Sequence, residues 1–100
     1  MDNPRIVTIC GSMRFYQEML AHASKLTIEG VIVLMPFVAS ETGWIKSMLD
    51  ELHRQKIAMS HAILVVNPGG YIGESTQDEI LYAKAWAKGV EYTDKQNEDS

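Results

Sequence analysis

The run Ala62-Ile63-Leu64-Val65-Val66, followed by Asn67-Pro68-Gly69-Gly70, is the strongest strand signal in the chain. Its continuous apolar and β-branched character fits a strand covered on both faces. Asn-Pro-Gly-Gly then breaks the strand into a turn or loop. Two earlier runs have the same character: Ile6-Val7-Thr8-Ile9-Cys10, broken by Gly11-Ser12, and Val31-Ile32-Val33-Leu34-Met35, closed by Pro36. Between the runs the apolar period changes. From Met13, residues Tyr16, Met19, Leu20, Ala23 and Leu26 fall on one helix face, and Gly30 ends that helix. Ile45, Met48, Leu49 and Leu52 mark a second helix from Glu41 to about Ala58. Ile80, Ala83 and Ala87 mark a last one, from about Thr76 to Lys88, which Gly89 stops. Val90-Glu91-Tyr92 reads as a fourth, edge strand.

Strands and helices that alternate in this way build a parallel sheet with helices on both faces. Right-handed crossovers leave few topologies. The expected architecture is an α/β, flavodoxin- or Rossmann-like three-layer sandwich with strand order 2-1-3-4. Residues 1–93 form one domain, and 94–100 are a polar, frayed tail. In such sheets ligands bind beyond the carboxyl ends of the strands, where the strand order reverses. Here that point lies between strands one and three. The loops facing it are Gly11-Ser12-Met13-Arg14 and Asn67 to Ser75, with Pro36-Phe37 nearby.

Composition narrows the function. The 100 residues are 46% hydrophobic and 22% charged, with a formal net charge of -4, which is ordinary globular composition. No basic run is present, so a nucleic-acid polymer is not the expected partner. A single nucleotide stays possible, because backbone N–H groups can hold one phosphate. The single cysteine, Cys10, allows no intrachain disulfide. No zinc-type Cys/His spacing is present, and His53 and His61, eight apart, lack a partner cluster, so no metal and no cofactor are expected. No run is long enough to span a bilayer, and the first residues do not form a signal peptide, so the expected compartment is the cytoplasm.

Glycine and serine at 11 and 12 bring backbone N–H groups and a hydroxyl to a helix start, which suits an anion, and Arg14 adds charge. The structural alternative is a plain turn with Ser12 as N-cap. The segment Gly69-Gly70-Tyr71-Ile72-Gly73-Glu74-Ser75-Thr76-Gln77-Asp78-Glu79 holds three glycines in five residues, which lets backbone approach a ligand closely. Ser75 and Thr76 offer hydroxyls, and Glu79 falls in the first turn of the last helix. Thr76-x-x-Glu79 is also a capping-box pattern, in which Glu79 would only bond a backbone N–H. Met35 and Phe37 end strand two at the crevice and could border a flat ring. Tyr82, Trp44 and Trp86 read as packing aromatics, Cys10 as buried and inert, and His61 as lying at the opposite end of the sheet.

Cys10-Gly11-Ser12-Met13-Arg14, Val33-Leu34-Met35-Pro36-Phe37-Val38 and the stretch from Gly70 to Ala83 resemble the nucleoside 2′-deoxyribosyltransferase family. The similarity is greatest to its 2′-deoxynucleoside 5′-phosphate N-hydrolase branch and covers about residues 6 to 93. The resemblance implies a flavodoxin-like fold, cleavage of an N-glycosidic bond, and a homodimer with shared sites. It makes Glu79 the nucleophile that attacks the anomeric carbon and expels the base. Gly11, Ser12 and Ser75 would hold the 5′ end. Arg14, Asn67 and Gly73 complete the expected binding set, with Met35 and Phe37 beside the base. The chain departs from the family at Thr8, where a tyrosine is usual, at Lys56, where an aspartate is frequent, and at His61. Asp78 or Glu74 could replace a missing general acid. The alternative function is a non-catalytic module that binds a nucleotide or an ADP-ribose-like ligand.

Overall fold

The computed structural model describes residues 3–38 and 44–95, except the side chain of Trp44. In chain order the elements are β1 (Ile6–Gly11), α1 (Tyr16–Ile28), β2 (Ile32–Leu34), α2 (Trp44–Met59), β3 (Ala62–Val66), α3 (Glu74–Ala85) and β4 (Gly89–Tyr92). The four strands form one parallel sheet in the order β2-β1-β3-β4. The expected architecture and strand order are therefore present.

Side chains on β1 alternate between two apolar layers. Ile9 packs with Met19 of α1 and Val66 of β3 on one face. Cys10 packs with Ile57, Ile63, Val65, Ile80 and Ala83 on the other, between the sheet and α2 and α3. Removing one such isoleucine from water contributes about 2–3 kcal/mol. Thr8 is fully buried on this second face, and its Oγ1 meets Ser60 Oγ and Lys56 O. It ties β1 to the end of α2.

Element ends differ from expectation in ways that matter for the site. Met13–Phe15 is a 3-10 turn capped by Ser12, and the α-helix proper starts at Tyr16. Met35 lies past the β2 ladder, which pairs only Ile32–Leu34 with Ile6–Thr8. The expected start of the second helix, Glu41 to Gly43, lies outside the described residues. Its inward side is half-buried Leu49 with buried His53 and Ile57, continued by Ser60 just past its end, and Met48 and Leu52 are each about half exposed. The last helix starts at Glu74 and stops at Ala85, three residues before Lys88.

Two helices end in the same motif. Gly30 N–H donates to Thr27 O and Val31 N–H to Leu26 O, closing α1 with Gly30 at φ 92°. Ala87 N–H donates to Lys84 O and Lys88 N–H to Ala83 O, closing α3 with Ala87 at φ 58°. This left-handed position suits glycine and strains alanine. Ala87 therefore belongs to the stop and not to the buried helix face. Trp86, next to it, is largely exposed against Tyr82 rather than in the core.

Asp94 was expected in the frayed tail. Its N–H donates to Asn67 Oδ1, its carbonyl accepts from Asn67 Nδ2, and its carboxylate accepts from Gly69 N–H. Residues 96–100 lie outside the described part. Among the described residues no helix is long and apolar enough to cross a membrane.

Candidate active site

The carboxyl end of β1 opens into a cavity of about 440 Å³, a size suited to a small organic ligand. Its wall includes Gly11 and Ser12 at the end of β1, Pro36 and Phe37 after β2, and Gly73 and Ser75 at the start of α3. Gly11 is needed for packing here, because a Cβ would stand 2.9 Å from Val66 O. The two loops flanking the opening are joined by their side chains. Arg14 lies over the Tyr71 ring at 4.4 Å, and Tyr71 meets Phe15 edge to face. A cation held over an aromatic face in this way gains about 0.5–1 kcal/mol at exposed positions.

Glu79 reaches the cavity for a reason the capping-box pattern hides. The N-cap of α3 is Gly73, so Thr76 lies inside the first turn and Glu79 in the second. Glu79 caps nothing. Its Oε2 stands 3.7 Å from His53 Nε2, and that nitrogen stands 3.6 Å from Cys10 Sγ. Donor atoms of all three lie within 4.8 Å of one another. His53, expected to lack partners, is thus gathered with Cys10 from β1 and Glu79 from α3. The sequence did carry a signal: His53 stands four residues after Leu49 and four before Ile57, inside the buried stripe of α2.

Burial governs the charges. It raises the Glu79 carboxyl to about 7; a bond from Cys10 and the charge of Arg54 partly offset this, and the charges of Asp50 and Asp78 add to it. Burial lowers His53 to about 4, helped by Lys56 and opposed by Asp50. Burial, then the charge of Glu79, raises the Cys10 thiol well above its ordinary range. His53 is therefore neutral at pH 7, and its contact with Glu79 is not an ion pair at that pH. Among the described residues no lysine or arginine pairs with Glu79; Arg54 is held by Glu51 and Lys46 by Asp50. A carboxyl that titrates near neutrality in a cleft is a marked candidate for chemistry.

Of the residues expected from sequence, Glu79, Gly11, Ser12, Phe37, Gly73 and Ser75 line the cavity. Three do not. Asn67 is fully buried and its side chain is spent on Thr93 and Asp94. Met35 packs beside the Ile9 cluster and gives its carbonyl to Lys56 Nζ. Arg14 stays at the rim on Tyr71. Asp50 and His53, absent from the sequence expectation, do line it. Glu74 faces the main cavity, and Asp78 a smaller recess shared by Asp50, Arg54 and Glu79. Lys56 points away to Met35 O, and His61 Nδ1 accepts from Ile6 N–H at the far end of the sheet.

No family model matches the chain, and no curated protein matches it. Among solved structures it is similar to a 2-desoxiribosyltransferase from Leishmania mexicana, at 21% identity and a TM-score of 0.66. The match covers 89% of this chain and 63% of that one, so the chain spans less than two thirds of that protein's length, and what the two have in common is the fold.

Proposed function

We propose that the chain cleaves, or transfers the base across, the N-glycosidic bond of a nucleoside or nucleoside 5′-monophosphate, with Glu79 as nucleophile. The observation that carries this is the position of Glu79: half-buried beside the carboxyl end of β1, free of any capping role, and without a lysine or arginine partner among the described residues. The likeness of fold to a protein described as a 2-desoxiribosyltransferase supports the same substrate class.

The reaction uses charge as follows. The carboxylate of Glu79 attacks C1′ as the C1′–N bond breaks, and the bonding electrons leave with the base, which takes a proton. Positive charge develops on the sugar, and an adjacent carboxylate stabilises it. The same charge favours the ionised form of a carboxyl that otherwise titrates near 7. Glu74 faces the main cavity and is the better placed proton donor; Asp78 faces the recess. Water or a second base then opens the glycosyl ester. Gly11, Ser12 and Ser75 hold the 5′ end and Phe37 borders the base. A homodimer belongs to this reading, and light scattering at micromolar concentration tests it.

A second reading, a binding module without catalysis, draws on Thr8 and Lys56. Both side chains are engaged in holding α2 to the sheet and strand two, not in the cavity. One experiment separates the two. The purified chain is incubated with ribo- and deoxyribonucleosides and their 5′-monophosphates, and free base is followed by chromatography. Base released by the wild type and not by Glu79→Gln supports the enzyme. Equal release by both proteins refutes Glu79 as nucleophile. A thermal shift with one nucleotide and no release supports the module.

A further inference from the structure

We propose that Cys10, His53 and Glu79 form a three-ligand site for a tetrahedral transition-metal ion, zinc by its donor set, and that the ion, when bound, withdraws the Glu79 carboxylate from the cavity. The second half rests on the function proposed above; the first half does not.

The geometry comes first. Zinc bonds of about 2.3 Å to sulfur and 2.0–2.2 Å to nitrogen and oxygen, at tetrahedral angles, put donor atoms about 3.4–3.6 Å apart. Cys10 Sγ and His53 Nε2 are 3.6 Å apart, and His53 Nε2 and Glu79 Oε2 are 3.7 Å apart. All three donors fall within 4.8 Å of one another. An ion among them needs displacements of tenths of an ångström to about one ångström, within the reach of side-chain rotation. Each ligand comes from a different element, β1, α2 and α3, and the three elements pack around one core cluster.

The donor chemistry agrees. Thiolate, imidazole and carboxylate suit zinc, and calcium and magnesium prefer oxygen alone. No lysine or arginine pairs with Glu79 among the described residues, so no cation already occupies its carboxylate. His53 Nδ1 is buried without a hydrogen-bond partner among the described residues. Moving the imidazole proton to Nδ1 to free the Nε2 lone pair therefore breaks no bond at Nδ1. Three protein ligands leave a fourth position, which water fills from the cavity that His53 and Glu79 line.

The proton balance is simple. The ion displaces the Cys10 thiol proton, and any proton on Glu79, to solvent, and no redox change occurs. Bound in this way, Glu79 donates its electron pair to the metal and not to C1′. Free zinc would thus act as an inhibitor of the proposed reaction.

Cobalt(II) gives the test a readout that does not depend on activity. The chelator-stripped full chain is titrated with cobalt chloride and followed by absorption. The expected result is one equivalent bound, with the intense visible bands of tetrahedral cobalt and a near-ultraviolet thiolate charge-transfer band, both erased by one equivalent of zinc. Cys10→Ser, nearly isosteric, removes the charge-transfer band, and His53→Gln weakens binding at least about tenfold, with far-ultraviolet circular dichroism confirming that each variant folds. Absence of the thiolate band in the wild type, or cobalt spectra unchanged in Cys10→Ser, overturns the site. Where base release is found, stoichiometric zinc should suppress it and chelator restore it; uninhibited release by zinc-loaded protein overturns the second half alone. A chain that releases no base but shows the cobalt bands keeps the metal site and loses the glycosidic function.

Discussion

Replacing Glu79 by glutamine should make the protein more stable, and only above a certain pH. The carboxyl rises from its ordinary 4.5 to about 7 in the folded chain, first because it is buried. Below pH 4.5 the group is protonated in both folded and unfolded chains and has no differential effect. Between 4.5 and 7 the unfolded chain releases its proton and the folded chain keeps it, so stability falls as pH rises. Each pH unit in that window costs about 1.4 kcal/mol. Across the window the loss reaches about 3 kcal/mol, an upper bound because the cavity admits water. Glutamine has nearly the same shape and no proton to lose. His53 works in the other sense: lowered from 6.5 to about 4, it adds stability above pH 6.5 that is lost as pH falls through 4. Burial, its first cause, is the same in Glu79→Gln. Thermal unfolding in chelator, every half unit from pH 4.5 to 8, is the assay. For a domain of this size 1 kcal/mol moves Tm by about 4–8 °C. Glu79→Gln should match the wild type at pH 4.5 and exceed it by roughly 10 °C at pH 8. A difference that does not change with pH, or a less stable variant at pH 8, would refute the assignment of a buried, neutral-titrating carboxyl. The expected sign has a general meaning: a residue that lowers stability where the protein works is retained for something other than stability.

Three further substitutions probe the frame around the site. Ala87→Gly should raise stability by about 1 kcal/mol, since Ala87 holds the left-handed position that Gly30 fills at the end of α1; an unchanged or lower midpoint in denaturant would contradict that backbone conformation. Gly11→Ala should cost about 1–3 kcal/mol, because its Cβ would press on the Val66 carbonyl at 2.9 Å, and a neutral result in urea unfolding would contradict the close approach of β1 and β3. Asn67→Ala should cost about 1–2 kcal/mol by removing the side-chain bonds that fully buried Asn67 makes to Thr93 and Asp94. Nucleotide-induced thermal shifts should survive in Asn67→Ala, and their loss would return Asn67 to the binding set.

The strands were legible because they are buried runs of β-branched residues between glycines and prolines. Ala62–Val66 is read to the residue, and the order β2-β1-β3-β4 follows from crossover handedness. The short edge strand β2 was read too long, since only the part of the apolar run beside β1 finds a ladder. The start of α3 was misread because Thr76 and Glu79 imitate a cap, whereas Gly73 supplies the N-cap backbone without any side-chain bond. Glu79 was found in spite of that, through loop position and resemblance. Asp50 and His53 escape the sequence reading because two of the four residues that mark the face of α2, Met48 and Leu52, are long apolar side chains left half exposed. The face that packs inward carries a histidine and a serine, and polar residues hide an inward face from any apolar count.

The placement of β1 has a consequence for how the chain is made. β1 is central in the sheet, yet its neighbour β3 follows it only after a long stretch of chain: Ile6 and His61, joined by a hydrogen bond, are 55 residues apart. Pairings of such separation form slowly, because a long loop must close before any contact repays it. On the ribosome, Ile6 to Cys10 therefore emerges with no partner on one side until β3 follows, more than 50 residues later. During that interval a largely apolar strand stands open to other nascent copies, and slower synthesis or lower temperature during expression should raise the yield of folded protein.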